Sequence, residues 1–210
     1  MIKDQMEKIY QSMPPEKIPW NMDSPPKLLQ SLCKTGKIRP CKALELGCGL
    51  GNYAIYLAQQ GFHVTGVDIA DSAIKRARKA VSQKGVSCRF ICADVLGSMV
   101  EIQETFDFAF DWELLHHIYP AEREKYIKNV HRLLSPKGYY LSVCFSETSL
   151  QFGGVGKYRT TPLNTILYFS SEQEMSTLFS SLFEIDELRT IDIEGKATRH
   201  KAIYALLKKK

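Results

Sequence analysis

The stretch ALELGCGLGN, residues 43 to 52, passes from an apolar run through one acid into Gly47, Gly49 and Gly51. Glycine reaches backbone angles that other residues avoid and lets a ligand approach the main chain closely. A strand that breaks into such a turn and reopens as a helix often receives a nucleotide-like ligand. Few architectures contain that unit, and the rest of the chain continues in its rhythm.

Ala43–Leu46 reads as a first strand, and the glycine turn leads into a helix over about Asn52–Gln60. FHVTGVDI is a second strand, followed by an amphipathic, basic helix over Asp71–Gln83. SCRFICADV and FDFAFDW read as strands three and four. A helix from about Ala121 to Leu134 precedes a fifth strand, GYYLSVCF. Short strands alternating with helices of about 10–15 residues indicate βαβ units and a parallel sheet. The rhythm then changes. Residues 146–169 form a longer connection containing FGGVG, and Ser171 with Glu174 has capping-box spacing. FEIDELRTIDI and KAIYALL, separated by Glu194-Gly195, suit a hairpin.

The expected fold is α/β, a three-layer, doubly wound, Rossmann-like arrangement around a seven-stranded, mostly parallel sheet whose last strand is antiparallel. A chain of 210 residues suits one domain. Residues 1–40 are expected to form an N-terminal lid or cap, 41–145 a cofactor-binding core, and 146–210 a substrate-side connection with the terminal hairpin.

Composition limits the function classes. With 44% hydrophobic and 24% charged residues the chain resembles an ordinary globular protein. No run approaches the roughly 20 apolar residues of a membrane span, and MIKDQMEKIY has no apolar segment typical of a signal peptide. A cytoplasmic location is expected, with no membrane partner. The six cysteines contain no C-x-x-C pair and read as reduced, mostly buried thiols. The net charge of +5 includes the terminal Lys208-Lys209-Lys210 and names no partner. No metal ligand set is expected.

Two cofactors compete for the glycine turn. The dinucleotide fingerprint G-x-G-x-x-G wants its third glycine where Asn52 stands; here it arrives one residue early, at Gly51. The pattern E-x-G-x-G-x-G, beginning at Glu45, instead resembles motif I of class I S-adenosylmethionine-dependent methyltransferases. Other stretches resemble further motifs of that family, in the family's order over about residues 42–145. Asp68 ends strand two, 21 residues beyond Gly47, where a carboxylate can accept both ribose hydroxyls. An NAD site wants an acid at a similar distance, so Asp68 alone does not discriminate. Asp94 in CADV resembles the acceptor of the adenine amino group, with Val95 beside it. FDFAFDWELLHHI resembles the motif IV strand and its following loop, and LLSPKGYYLSV the proline–glycine turn into strand five.

The resemblance implies S-adenosyl-L-methionine as cofactor and S-adenosyl-L-homocysteine as product. It implies a cofactor pocket drawn from Trp20, Glu45, Gly47, Cys48, Gly49, Gly51, Asp68, Ile69, Asp94, Val95 and Asp111. Blander roles stand beside these. Asp68 can cap a helix, Asp94 can serve a turn, and Glu45 can organise the glycine loop by accepting backbone N–H groups. Asp111 can meet the methionine amino group or the substrate.

On the acceptor side, His116 and His117 in LLHHIYP follow strand four, at the end of the sheet where substrates lie. Either can act as general base, line the pocket or fix the loop. The chain lacks the N/D-P-P-Y/F tetrad of amino-group methyltransferases on adenine or glutamine and, after strand four, the Pro-Cys motif of cytosine-C5 enzymes. Nucleic acid therefore drops behind a small-molecule substrate. IPWNMDSPPKLL resembles the Trp- and Pro-rich lid of thiopurine- and halide-type methyltransferases, and can equally be a stiff connector packed on the core. AIYALLKKK is similar to the ending of tellurite-resistance-type enzymes, from which the lid and residues 146–170 depart. The expectation is methyl transfer to a thiol, halide or other soft nucleophile by a monomer or homodimer. An NAD(P)-dependent oxidoreductase and an RNA methyltransferase are the alternatives; Asn52 in place of the third fingerprint glycine argues against the first, and the second predicts steep salt dependence of binding.

Overall fold

A computed structural model describes residues 2–210. Its centre is a seven-stranded sheet: β1 (Lys42–Leu46), β2 (His63–Asp68), β3 (Cys88–Cys92), β4 (Phe106–Trp112), β5 (Leu134–Phe145), β8 (Phe183–Glu194) and β9 (Arg199–Lys209). The strands lie in the order β3-β2-β1-β4-β5-β9-β8. β1 to β5 pair in parallel, and β9 is antiparallel to both β5 and β8. β8 therefore runs with the first five, and β9 alone is reversed. Order is reversed where β1 meets β4, the crevice in which open α/β sheets bind ligands.

Strand period two divides the apolar residues between two layers. From β1, β4 and β9, Leu44, Ala109 and Ile203 face one cluster with Tyr126, Val130, Met175 and Phe179. Their neighbours Ala43, Phe110 and Tyr204 face the other, with Leu29, Leu57 and Ile74. The first layer is covered by α5 (Pro120–Leu133) and α6 (Glu172–Ser180). The second is covered by α2 (Lys27–Lys34), α3 (Asn52–Gln59) and α4 (Asp71–Lys84). Among the described residues no helix is long and apolar enough to cross a membrane.

α6 starts as its sequence predicts. The Ser171 hydroxyl accepts the Glu174 N–H at 3.1 Å, and the Glu174 carboxylate accepts the Ser171 N–H at 2.8 Å. α4 starts differently. Neither Asp71 nor Ser72 caps it with its side chain. The Glu7 carboxylate, from α1 (Ile2–Ser12), accepts both the Ser72 N–H and the Ser72 hydroxyl. The first helix thus supplies the cap of the fourth, which fixes α1 over the C-terminal ends of the strands.

Several elements differ from the reading of the sequence. The proline-broken stretch contains α2, eight residues beginning just after Pro26, because proline pre-sets the first turn of a helix. β3 stops at Cys92, leaving Asp94 in the following loop. β5 begins at Leu134, its Pro-Lys-Gly segment forming an irregularity with Lys137 at φ +63°. Residues 146–169 hold a small antiparallel hairpin, β6 (Tyr158–Thr160) and β7 (Ile166–Tyr168). The β8–β9 connection spans residues 195–198, longer than the two-residue break expected.

Candidate active site

β1 delivers the chain to the glycine turn. The N–H groups of Gly47 and Cys48 both donate to the Val67 carbonyl, at 2.8 and 2.9 Å, so the turn is pinned to β2. Asp68 continues that attachment. One carboxylate oxygen accepts the Gly49 N–H at 2.9 Å, the other the Ala70 N–H at 3.0 Å. Burial nevertheless raises the Asp68 carboxyl above its ordinary range, against the pull of its backbone donors. Each oxygen retains a lone pair for a further donor.

Glu45 lies beneath the turn, 3% exposed. Burial raises its carboxyl well above the usual range, the Ala54 N–H opposing and Asp68 adding to the rise. Its Oε2 is buried with no hydrogen-bond partner among the described residues. An unpaired buried oxygen is costly, and this one borders a cavity.

That cavity has a volume of about 160 Å³ and is partly open to solvent. Trp20, Glu45, Gly47, Cys48, Gly49, Asp68, Ile69, Asp94, Val95 and His117 all line it. Asp94 also accepts the Leu96 N–H at 2.9 Å, a turn role beside its position on the wall. Two residues expected there are elsewhere. Gly51 is absent from the lining; its φ is +78°, and a Cβ on it would stand 2.6 Å from the Phe90 ring. Asp111 is fully buried in the layer covered by α5 and α6, accepting bonds from Tyr140, from Tyr126 at 3.1 Å and from Ser142 at 3.3 Å. Strand alternation explains the correction: the next residue, Trp112, reaches the cavity, as does Glu113.

The sequence reading missed the roof. Met6 and Tyr10 of α1 line the cavity, and their four-residue spacing was the available signal. Trp20 donates its indole N–H to the Tyr10 hydroxyl at 2.8 Å. The Pro-rich segment is fastened beyond this contact. Asn52 donates to Asn21 and the Met22 carbonyl, and Lys196 in the β8–β9 turn donates to the Glu16 and Ile18 carbonyls at 2.9 Å each.

A second, larger cavity of about 1010 Å³ adjoins the first. Trp20, Met22, Tyr53, Trp112, Glu113 and His117 line both. Phe145, Phe152 and His200 line only the second, as does His116. Burial lowers the His117 imidazole to about 4 and that of His116 well below its ordinary value, so both rings are neutral at neutral pH. Arg123 holds their turn, donating to the carbonyls of Ile118 and Leu115 and to the Ser170 hydroxyl. The 146–170 wall depends on Arg159, which donates to the carbonyls of Glu147, Ser149, Gln151 and Gly156. Its guanidinium lies 3.9 Å from the centre of the Phe169 ring.

The acceptor set suits a nucleoside that carries an amino-acid group. The unpaired Glu45 oxygen awaits a donor, Asp68 has lone pairs to spare, and a Cβ on Gly49 would stand 2.8 Å from the Tyr10 hydroxyl. Fold and site resemble those of class I S-adenosylmethionine-dependent methyltransferases. Residues 43–138 match the methyltransferase domain family. Over 192 residues the chain is 24% identical to a 2-heptyl-1-hydroxyquinolin-4(1H)-one methyltransferase of Mycobacteroides abscessus, covering 89% of this chain and 79% of that protein. It is 28% identical over 127 residues to a probable thiol methyltransferase 2 of Arabidopsis thaliana, covering 60% of this chain and 56% of the plant protein. A solved structure from work on conversion of a disulfide bond into a thioacetal group during echinomycin biosynthesis superposes with a TM-score of 0.84. It covers 100% of this chain and 92% of the other at 22% identity, a likeness of fold.

Proposed function

We propose that the chain methylates a thiol or similarly soft nucleophile carried by an organic small molecule. The observation that carries this reading is the second cavity. Its volume, about 1010 Å³, is at the upper end of small-molecule sites, which span roughly 300–1,000 Å³. A bare halide would leave nearly all of it unfilled. Tyr53, Trp112, Phe145 and Phe152 offer aromatic surface to a flat organic body. The relatives named above act, by their descriptions, on a hydroxyquinolone and on thiols, which is consistent with an organic acceptor.

In this reading S-adenosylmethionine occupies the first cavity and, when bound, supplies an electrophilic methyl group on a sulfonium. Asp68 accepts the ribose hydroxyls, Asp94 and the Val95 backbone take the adenine, and the free Glu45 oxygen accepts from the amino-acid end. Gly47, Cys48, Gly49 and Ile69 shape the wall. Trp20 spans both cavities and offers its ring face to the cation. His117 lines the junction as a neutral ring, and His116 lines the acceptor side. Positioning carries most of an in-line displacement with a good leaving group. Residues 1–40 form the lid of a single domain.

The test is methyl transfer from radiolabelled S-adenosylmethionine to benzyl mercaptan, a phenol, an amine, iodide and RNA. The expected result is transfer to the thiol above the others. Transfer to RNA alone, with binding that falls steeply as salt rises, overturns the proposal, as does tight NAD binding without binding of S-adenosylmethionine.

A further inference from the structure

Glu113 follows β4 directly, and its N–H donates to the Val143 carbonyl at 2.8 Å, extending the pairing of β4 with β5 by one residue. At that point its φ is +65°, in the left-handed region that non-glycine residues seldom enter. The turn aims the carboxylate across the sheet toward β9. There His200 Nε2 lies 2.6 Å from Glu113 Oε1. Both side chains are shielded, 7% exposed for His200 and 18% for Glu113. The two residues are 87 positions apart in sequence, and both line the second cavity.

The remaining contacts fix the ring. Phe145 lies against one face, centroids 4.6 Å apart. Gly195 borders the other nitrogen: a Cβ there would stand 3.2 Å from Nδ1, so glycine keeps that side unfilled. A carboxylate on Nε2 selects the tautomer with its proton on Nε2 and a lone pair on Nδ1. Nδ1 has no partner among the described residues.

We infer that His200 is the group that takes the proton from the methyl acceptor, with Glu113 as its positioning residue. This rests on the acceptor reading given above. The acceptor's S–H bond breaks as its proton passes to Nδ1. The freed sulfur pair forms the new S–CH₃ bond, and the pair of the breaking C–S⁺ bond stays on the departing sulfur as S-adenosylhomocysteine. Glu113 stabilises the imidazolium until Nδ1 returns the proton to water.

The geometry distinguishes this pair from the histidines singled out in the sequence. Among the described residues, the Nδ1 atoms of His116 and His117 are buried without hydrogen-bond partners, and the one histidine–carboxylate pair is His200 with Glu113. Burial depresses both, which makes them weak bases. The groups facing His200 are Glu113 and, beyond Phe145, His116. On its own hairpin Arg199 is bound by Glu194, Lys201 by Asp192, and Lys196 by the lid carbonyls. Glu113 is therefore the charged partner of the ring.

The experiment compares two acceptors at neutral pH: benzyl mercaptan, whose thiol is still protonated, and 4-nitrothiophenol, already a thiolate. His200→Asn is expected to lower turnover of benzyl mercaptan by about 10²–10⁴-fold, the range for acid–base catalysis, and that of 4-nitrothiophenol by only about threefold. Glu113→Gln, which keeps its shape, is expected to show the same preference with a smaller loss. Equal losses on both acceptors would reduce the pair to a structural contact. Imidazole ¹⁵N spectra of the full chain with S-adenosylhomocysteine bound are expected to show His200 protonated on Nε2 and free on Nδ1. If the unaltered protein methylates neither thiol, the acceptor reading has failed, and the spectra still decide the pair: a proton on Nδ1 with Nε2 bare overturns it.

Discussion

The Tyr10 hydroxyl accepts the Trp20 indole N–H directly above Gly49, where even one added carbon would stand 2.8 Å from the hydroxyl oxygen. Lid and glycine turn therefore touch without a spare layer between them. Trp20 fluorescence is expected to change when S-adenosylhomocysteine binds, measured in a Trp112→Phe background to remove the second indole. Trp20→Phe keeps the ring but loses the hydrogen bond, and is expected to weaken cofactor affinity by about fivefold, near 1 kcal/mol.

Gly49 and Gly51 should separate binding from folding. At Gly49, φ +50°, the obstacle to alanine is the tip of a tyrosine that can swing aside and break its contact with Trp20. Gly49→Ala is expected to weaken S-adenosylhomocysteine binding about tenfold by calorimetry, with a modest fall in Tm. At Gly51 the obstacles are the Phe90 ring at 2.6 Å and the Ala77 methyl at 3.1 Å, both in the core. Gly51→Ala is expected to cost about 2–4 kcal/mol of stability through overpacking and strain together, measured by urea denaturation.

Asp68→Ala is expected to weaken cofactor binding by about 1.5–3 kcal/mol, the value of hydrogen bonds to a charged group. Because the carboxylate also holds the Gly49 N–H, Asp68→Asn is expected to recover part of that loss. Unchanged affinity in a folded Asp68→Ala protein would remove the ribose assignment.

Arg159→Ala would leave the carbonyls of Glu147, Ser149 and Gly156 without their donor, leave that of Gln151 with only the Gly154 N–H, and remove the contact with Phe169. The expected cost is about 2–4 kcal/mol, localised to residues 146–170 in hydrogen exchange. KM for the thiol acceptor should rise while S-adenosylhomocysteine affinity holds. Arg159→Lys should rescue little, since an ammonium cannot reproduce the guanidinium fork.

Asp111 gives the protein a pH signature in a defined window. Burial raises its carboxyl from 3.8 to about 6, against the pull of Tyr140, Ser142 and Tyr126. The folded state thus holds this proton more tightly than the unfolded chain. Its contribution is most favourable below about pH 4, declines as pH rises toward 6, and is level above that. A shift of about two pKa units corresponds to roughly 3 kcal/mol. Asp111→Asn is expected to gain stability relative to the unaltered protein across that window, read as the difference between urea midpoints at each pH.

What was legible in the sequence follows from range. The strands of the parallel half, their helices and the Ser171–Glu174 box are announced by neighbours within a few residues, and they appear within a residue or two of their expected limits, apart from the ends of β3 and β5. Glycine spacing and the acid that ends β2 likewise located the first cavity. Asp111 was misplaced because one residue decides which face of a strand a side chain takes, and the run FDFAFDW is apolar on both. The small hairpin of residues 158–168 was missed because its strands are three residues long and are organised by Arg159. His200 was invisible for a simpler reason: its partner is 87 residues away, and only the closed sheet brings Glu113 to it.

The clasp between Lys196 and the carbonyls of Glu16 and Ile18 joins points 180 and 178 residues apart. Contacts of such separation form late, because the loop they close must be ordered first. β9, which carries His200 and lies between β5 and β8, is also the final strand of the hairpin that bears the clasp. During synthesis, a ribosome-held chain can build β1 to β5 and the glycine turn while the acceptor wall, the roof fastening and the proton-accepting ring are all still missing. Cofactor affinity should therefore emerge before methyl-transfer competence, and a nascent chain stalled ahead of residue 196 would hold its methyl donor with nothing yet able to receive it.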